Sequence, residues 1–191
     1  MTTPHIPCLR LGEEYRSFNV SEVKDYRNGS VKATMSQVNA GVIRRDLLQI
    51  EKARDALQKL STRELIDISA KAGELFLNGD LPLGDGEQKQ SAKDYLSTLS
   101  STSGLPHVMV QRNMDKIHYA LTHVELILNG LTRGIDLSVL DRGFGEQAGS
   151  PVCFYPTTHA LGLVMPSNSP AVNSLWLPSI ALKIPIVMKP G

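Results

Sequence analysis

The chain has 191 residues, of which 41% are hydrophobic and 20% charged, so it is long enough to bury a core and is not an intrinsically disordered chain. Its 20 basic and 19 acidic side chains leave a net charge of +1, which gives no electrostatic reason to expect nucleic acid or an anionic membrane as a partner. No apolar run reaches the length of about 20 residues that a membrane-spanning helix needs. The N-terminus lacks the basic segment and the apolar segment of a secretory signal.

The N-terminal region, residues 1–34, is predicted to be an arm of mixed composition, in which the alternation over residues 15–23 is compatible with an edge strand. From about Met35 the period becomes helical, and residues 35–130 are predicted to form a helical region. The first helix is expected to place aliphatic side chains on one face, namely Ile43, Leu47, Ile50, Leu57 and Leu60.

A capping box marks the start of the second helix, because Ser61 and Glu64 are spaced so that each side chain can bond the backbone amide of the other. This helix is expected to end at Asn78-Gly79, where glycine tolerates the left-handed conformation of a helix end. The side chains expected on its buried face are Leu65, Ile68, Ala72, Leu75 and Phe76. A polar loop is predicted over residues 80–90.

Two more helices are predicted, over residues 91–101 and 107–129. The longer one carries the clearest apolar stripe of the chain, formed by Met114, Ile117, Leu121, Val124, Leu128 and Leu131. After it the pattern changes, and the glycine-rich residues 131–151 predict an irregular connection.

The last region, residues 152–191, is predicted to be the start of a sheet. Strands are predicted at residues 152–155, 160–165 and 184–188, with a helix over residues 171–183. The continuous apolar run at 160–165 is typical of a parallel strand covered on both faces. The fold class is therefore predicted as α/β, with amphipathic N-terminal helices followed by the first βαβ unit of a doubly wound parallel sheet.

Polar side chains follow the two strands of this βαβ unit. Asn168 comes just after the first strand and Lys189 just after the second, so both are expected at the carboxyl edge of the sheet, where open α/β sheets bind ligands. An amide can donate to a developing oxyanion, and an ammonium can bond ribose hydroxyls or offset phosphate charge. From spacing alone, Asn168 as a turn former and Lys189 as a solvated strand end explain the pattern equally well.

The stretch over residues 160–191 resembles the aldehyde dehydrogenase superfamily. The common form there reads G-V-V-G-V-I-x-P-W-N-F-P, then a helix with P-A-L-A-A-G-N, then a strand ending V-x-K-P. The corresponding segments here are Leu161-Gly162-Leu163-Val164-Met165-Pro166, Asn168 and Pro170, Leu177-Pro178-Ser179-Ile180-Ala181-Leu182, and Val187-Met188-Lys189-Pro190. The helices before this stretch match the family in order and character only.

The resemblance implies roles for individual residues. It implies that Asn168 donates its amide to a thiohemiacetal oxygen, and that Lys189 contacts the adenine-side ribose of NAD or NADP. The cofactor groove would also include Met165, Pro166, Ser167 and Pro190. The reaction implied is cysteine-dependent aldehyde oxidation, or the reduction of an acyl-CoA. The resemblance also implies that the helical region, residues 35–130, and the sheet region, residues 152–191, belong to the cofactor-binding domain.

The chain departs from the common pattern at several positions. Ser167 stands where tryptophan is usual and Ser169 where phenylalanine is usual, while Gly191 stands where serine or alanine is usual. Leu182-Lys183-Ile184-Pro185 replaces the A-A-G-N turn. These smaller loop residues favour a divergent branch, such as the acyl-CoA reductases and CoA-acylating members.

Other polar residues are not predicted to form a site. Cys153 is expected to be a small core residue and Cys8 to lie in a mobile terminus, so neither is expected to be the nucleophile, which the resemblance places beyond Gly191. The two cysteines also indicate a reducing compartment, and a cytoplasmic protein without a bound metal is predicted. The histidines at positions 107, 118, 123 and 159 are expected at the surface or at helix ends, and Asp136 and Asp141 in turns.

Three hypotheses for the function remain at this point. The first is the N-terminal part of an NAD(P)-dependent aldehyde dehydrogenase-like enzyme, inactive by itself, acting on an aldehyde or acyl-CoA and forming a homo-oligomer when full length. The second is a non-enzymatic remnant or assembly module, and the third is an unrelated α/β nucleotide-binding protein. Because a buried strand runs into Gly191, the polypeptide is expected to continue further, and the isolated chain to associate through unpaired strand edges.

Overall fold

The computed structural model describes residues 3–84, 86, 88–167 and 169–191. The chain divides into two compact units. Unit 1 consists of Met1–Gln49 and Leu75–Asp115, and unit 2 of Ile50–Glu74 and Lys116–Gly191. The protein is a mixed α/β chain in which the strands pair in small sheets.

Unit 1 opens with short strands rather than an irregular arm. They are β1 (His5–Ile6), β2 (Cys8–Arg10), β3 (Glu13–Tyr15), β4 (Val20–Lys24) and β5 (Val31–Ser36). β5 is the central strand of a sheet ordered β1-β5-β4, with β1 parallel and β4 antiparallel to it, while β2 and β3 form a hairpin. The expected edge strand is therefore present as β4, but the helix does not begin near Met35.

Helices follow β5, but with more breaks than predicted. They are α1 (Ala40–Leu47), α2 (Glu51–Gln58), α3 (Thr62–Asn78), α4 (Ala92–Ser103), α5 (His107–Thr122) and α6 (Val124–Leu131). The single helix expected before Ser61 is two helices. The helix expected over 107–129 is also interrupted, at His123, whose backbone leaves the helical region (φ −118°, ψ 25°). The polar loop at 80–90 includes a hairpin of β6 (Leu81–Leu83) and β7 (Gln88–Gln90).

The capping box at the start of α3 is confirmed. The Ser61 amide donates to the Glu64 carboxylate at 2.7 Å, and the Glu64 amide donates to Ser61 Oγ at 3.2 Å. The Ser61 amide and hydroxyl, which both donate to the Glu64 carboxylate, hold the pKa of Glu64 below its ordinary value. A second box, of Ser91 with Asp94, caps α4 in the same way. Local side-chain chemistry therefore sets where these helices begin.

The core of unit 2 is built on α3, α6 and the short helix α8 (Pro178–Ala181). Its buried side chains are Leu65, Ile66, Val124, Leu128 and Ala181. Within the predicted stripe, Met114, Ile117, Val124 and Leu128 are buried as expected, whereas Leu131 is exposed. In α3, Ile68 and Leu75 were expected to be buried but are exposed. The buried face of this helix includes Leu65, Ser69 and Gly73 instead.

The glycine-rich residues 131–151 hold more regular structure than predicted. A short helix, α7 (Val139–Arg142), precedes a hairpin of β8 (Phe144–Gln147) and β9 (Ser150–Cys153). The strand expected at 152–155 thus begins earlier and ends at Cys153. Left-handed glycines terminate α7 at Gly143 and shape the hairpin turn at Gly149.

A parallel strand pair closes unit 2. β10 (Leu161–Val164) pairs in parallel with β11 (Ile186–Lys189), as the βαβ pattern predicted. The predicted helix 171–183 is instead a 3₁₀ segment (Pro170–Leu175) followed, after a turn, by α8, whose first residue is Pro178. Proline lacks an amide hydrogen and fits the first helical position, so the helix restarts there.

The two faces of β10 differ, contrary to the expectation that both are covered. Val164 is 83% exposed and Gly162 is also exposed, while Leu161 and Leu163 are half-buried. Leu175 in the 3₁₀ segment is 81% exposed. Unit 2 therefore presents apolar side chains and the edges of a two-stranded sheet to solvent.

We expect this surface to cause self-association. Val164→Asp should shift the chain towards the monomer and raise its solubility, because a charge on an exposed strand opposes edge pairing and hydrophobic contact. Sedimentation velocity at several protein concentrations measures the effect. Val108→Asp, at another exposed valine, is the matched control and should leave association unchanged. A wild-type chain that stays monomeric at all concentrations would contradict this expectation.

Candidate functional site

The carboxyl ends of β10 and β11 lie side by side. Val164 and Lys189 are register partners in the parallel pair, and the Met165 amide donates to the Lys189 carbonyl at 2.9 Å. At the other end of the pair, the Leu161 amide donates to the Pro185 carbonyl at 2.8 Å. The segments that follow the two strands therefore leave the sheet at one edge.

Most of the predicted site residues lie at this strand-end edge. Met165 is buried beneath it, whereas Pro166, Ser167, Lys189 and Pro190 are exposed. The remaining predicted residue, Asn168, lies outside the described residues. Among the described residues of this edge, Lys189 offers an exposed ammonium and Ser167 an exposed hydroxyl, while the Met165 side chain is buried.

Gly191 brings the two backbones into close approach. A Cβ built on Gly191 would lie 2.3 Å from the Pro166 carbonyl oxygen and 2.9 Å from Ser167 Cα. Because backbone atoms cannot yield as a flexible side chain does, no larger residue fits there without a shift of one segment. This contact gives a physical reason for glycine at a position where the resembling pattern has serine or alanine.

The segment leading away from the edge is held by its own side chains. Ser169 Oγ accepts from the Ala171 amide, and Asn173 Nδ2 donates to the Pro170 carbonyl at 2.9 Å. Trp176 Nε1 in turn donates to Asn173 Oδ1 at 3.0 Å. These bonds fix the 3₁₀ segment with a conformation of its own rather than as the first turn of a long helix.

An ion pair in unit 2, between the buried Lys183 and the partly exposed Asp141, was not predicted from the sequence. Lys183 Nζ lies 2.6 Å from Asp141 Oδ1, and the same carboxylate oxygen accepts from the Thr62 amide and hydroxyl at 2.8 Å each. Asp141 therefore caps the amino end of α3 across the fold, and is not merely a turn residue. Asp136 does form a turn, since it accepts from the Ser138 amide at 2.9 Å.

The surroundings of Asp141 change its acidity. Burial by itself raises the pKa of this carboxyl, but the hydrogen bonds from Lys183 and Thr62 together lower the pKa below its ordinary value. The Asp141 carboxylate is therefore ionised at neutral pH. It pairs with Lys183, whose side chain is 10% exposed.

A polar cleft of about 490 Å³ adjoins this ion pair. Asp136 and Asp141 line it on one side, and Arg63 and Glu125 on another. Arg63 and Glu125 bind each other through two bonds of 2.8 and 2.7 Å, which hold the pKa of Glu125 below its ordinary value. Within the cleft, Arg63 and Glu125 therefore neutralise each other, while Asp141 pairs with Lys183.

The cysteines do not lie at the strand-end edge. Cys8 lies in β2, where its thiol donates to the Ser36 carbonyl, and burial raises its pKa, which disfavours the reactive thiolate. Cys153 ends β9 and is exposed, so its expected place in the core was wrong. Among the described residues, no cluster of three or more His, Cys, Asp or Glu side chains is arranged to hold a metal ion.

Three histidines of unit 2 make side-chain contacts. His118 bonds Glu74 at 3.0 Å, His159 bonds Glu51 at 2.5 Å, and His123 stacks on Tyr119 at the break between α5 and α6. In the part of the chain that the structure describes, no helix has the length and hydropathy to cross a membrane.

Comparison with known proteins shows the fold of this chain. No family model matches the sequence, and no curated protein matches it. Among solved structures, the chain is similar to a betaine aldehyde dehydrogenase from Staphylococcus aureus, a double mutant in complex with NAD+. The TM-score is 0.65 and the sequence identity 18%, and the similarity covers 97% of this chain and 34% of that chain. The protein thus has the fold of about one third of an aldehyde dehydrogenase subunit.

Proposed function

We propose that this chain is the N-terminal part of an NAD(P)-dependent oxidoreductase of the aldehyde dehydrogenase type, which oxidises aldehydes or reduces acyl-CoA. The observation that carries the proposal is the fold similarity over 97% of the chain, together with the parallel pair in which Lys189 lies opposite Val164, at the carboxyl ends of both strands. In open parallel sheets this edge is where nucleotides bind. The solved structure with the similar fold is itself a complex with NAD+.

The residues at the strand-end edge fit a nucleotide. Lys189 offers an exposed ammonium with three donors, which suits ribose hydroxyls or phosphate oxygens. Ser167 adds an exposed hydroxyl, and Met165, Pro166 and Pro190 would supply the apolar part of the groove. We propose Asn168, on the same loop, as the amide donor to the oxyanion of the reacting substrate.

The proposed division of labour leaves the nucleophile elsewhere. NAD(P)+ supplies the hydride acceptor when bound, and this chain would orient it and stabilise negative charge on the substrate oxygen. The thiohemiacetal would form on a cysteine outside these residues, since Cys8 and Cys153 lie on strands other than β10 and β11. We therefore expect no turnover from this chain alone.

Binding of the nucleotide tests the proposal. We expect the chain to bind NAD+ or NADP+ in isothermal titration calorimetry, and Lys189→Met to weaken binding about tenfold, the loss of one charge-assisted hydrogen bond. Lys71→Met, at another exposed lysine of unit 2, is the control and should bind as the wild type does. Methionine keeps an unbranched side chain of similar length and removes the ammonium, with its charge and its three hydrogen-bond donors.

The competing function is a non-enzymatic assembly module. Absence of NAD+ and NADP+ binding by a folded wild-type chain would overturn the dehydrogenase proposal and favour that module. Equal binding by the wild type and Lys189→Met would instead keep the nucleotide site but remove Lys189 from it.

A further inference from the structure

Lys183 occupies an unusual place at the end of α8. Its φ is +59°, in the left-handed region that favours glycine. The Lys183 amide donates to the Ile180 carbonyl at 2.9 Å, and the Ile184 amide donates to the Ser179 carbonyl at 3.0 Å. This pair of bonds is the Schellman motif, in which the left-handed position is usually glycine.

A lysine in this conformation carries an energetic cost that glycine would not. A non-glycine residue in the left-handed region is destabilised because its Cβ lies too close to the following carbonyl oxygen. The helix end itself requires no side chain at this position. The Lys183 side chain must therefore offset the cost through its contacts, and its ammonium is buried against Asp141.

The ion pair joins segments that are distant in the sequence. Asp141 belongs to α7 and bonds the first residue of α3, Thr62, through two hydrogen bonds. Lys183 attaches the end of α8 to this carboxylate. Three separate backbone segments therefore meet at one carboxylate oxygen.

From this point the chain runs directly into β11. Ile184 is bonded back to α8, and the buried Pro185 accepts from the Leu161 amide, the first bond between the two parallel strands. The last bond of the pair joins Met165 to Lys189. Because β11 is only four residues long, a displacement of its start is transmitted to Lys189 at its end.

We propose that Lys183 and Asp141 are positioning residues that fix β11 against β10, and thereby hold Lys189 at the strand-end edge. The role of Lys189 towards a nucleotide rests on the function proposed above. The position of β11 does not, and it can be measured without any ligand.

Two variants of Lys183 separate the ion pair from the backbone conformation. Lys183→Met removes the charge and keeps the left-handed strain, while Lys183→Gly removes the charge and relieves the strain. Arg63→Met is the matched control. It also breaks an ion pair of unit 2, the one between Arg63 and Glu125, but neither of these residues is bonded to α8. All variants are compared as full chains at a temperature where circular dichroism shows them folded.

Amide hydrogen exchange gives the ligand-independent readout. We expect both Lys183 variants to lower the protection of the Met165 amide about tenfold relative to that of Ile127, whose amide bonds the His123 carbonyl at the start of α6. Arg63→Met should leave this ratio unchanged. Unchanged protection of Met165 in Lys183→Gly would overturn the proposal, because the backbone of that variant is unstrained and only the pair is missing.

Nucleotide affinity gives the second readout. If the wild type binds NAD+ or NADP+, both Lys183 variants should bind about tenfold more weakly, and Arg63→Met as tightly as the wild type. Wild-type affinity in Lys183→Gly would overturn the positioning role. A wild type that binds neither nucleotide overturns the proposed function alone, since hydrogen exchange at Met165 still decides whether the pair positions β11.

Discussion

Leu128→Ala is expected to lower the free energy of unfolding by about 3 kcal/mol, because it removes a completely buried side chain from the core of unit 2. Leu128 lies in α6 in the cluster that also includes Leu65, Ile66 and Ala181. The loss combines the transfer free energy of the side chain with the cavity that a close-packed interior cannot fill. Urea denaturation followed by circular dichroism measures it.

Leu126→Ala is the matched control for this variant. Leu126 lies in the same helix and is 61% exposed, so the substitution changes helix propensity equally but leaves no cavity. We expect its unfolding free energy to remain within about 0.5 kcal/mol of the wild type. Similar losses for the two variants would show that α6 does not present Leu128 to the core.

Asp141→Asn is expected to destabilise the chain by about 2 kcal/mol at pH 7. Asparagine keeps an acceptor for Thr62 but removes the negative charge, which leaves the buried Lys183 ammonium without its counter-charge. Urea denaturation at fixed pH values between 3 and 8 compares the variant with the wild type. Asp55→Asn, at an exposed carboxylate of α2, is the control and should have little effect.

The effect of Asp141→Asn should depend on pH with a definite sign. The pKa of Asp141 is lower in the folded than in the unfolded chain, where the pKa of an aspartate is about 3.9. Its contribution to stability is therefore complete above that value and is lost as the pH falls through the lower, folded pKa. The difference between wild type and variant should be constant from about pH 5 to 7 and shrink below about pH 4. A difference that grows on acidification would contradict the assigned ion pair.

Local patterns in the sequence predicted helices and caps well but sheets poorly. The capping box of Ser61 and Glu64 and the buried stripe from Met114 to Leu128 depend on residues three or four positions apart. The sheet around β5 depends instead on partners such as His5, which pairs with Thr34 across the intervening hairpin. Such short strands carry little alternation, so residues 1–34 gave no clear signal for them.

The candidate site shows the same division between local and non-local information. The sequence pattern of two strands joined by a short crossover predicted a parallel pair, because the strands of a βαβ unit run in the same direction. Lys189, at the end of the second strand, was therefore expected near the end of the first, and the register of β10 and β11 agrees. The sequence also predicted Asp136 and Asp141 alike as turn residues, and only Asp136 is one. The difference arises because Asp141 meets Lys183 and Thr62, neither of which is near it in the chain.

The sequence alone therefore determined the starts of α3, α4 and α5, the main apolar stripe and the parallel pair β10–β11, since each follows from side-chain spacing within one or two elements. The tertiary structure decided where helices break, which face of α3 is buried, and that Lys183 adopts a left-handed conformation. Those features result from a balance between local backbone preference and contacts made elsewhere in unit 2. A lysine tolerates the strain at position 183 because its side chain is buried and a carboxylate distant in the sequence bonds its ammonium.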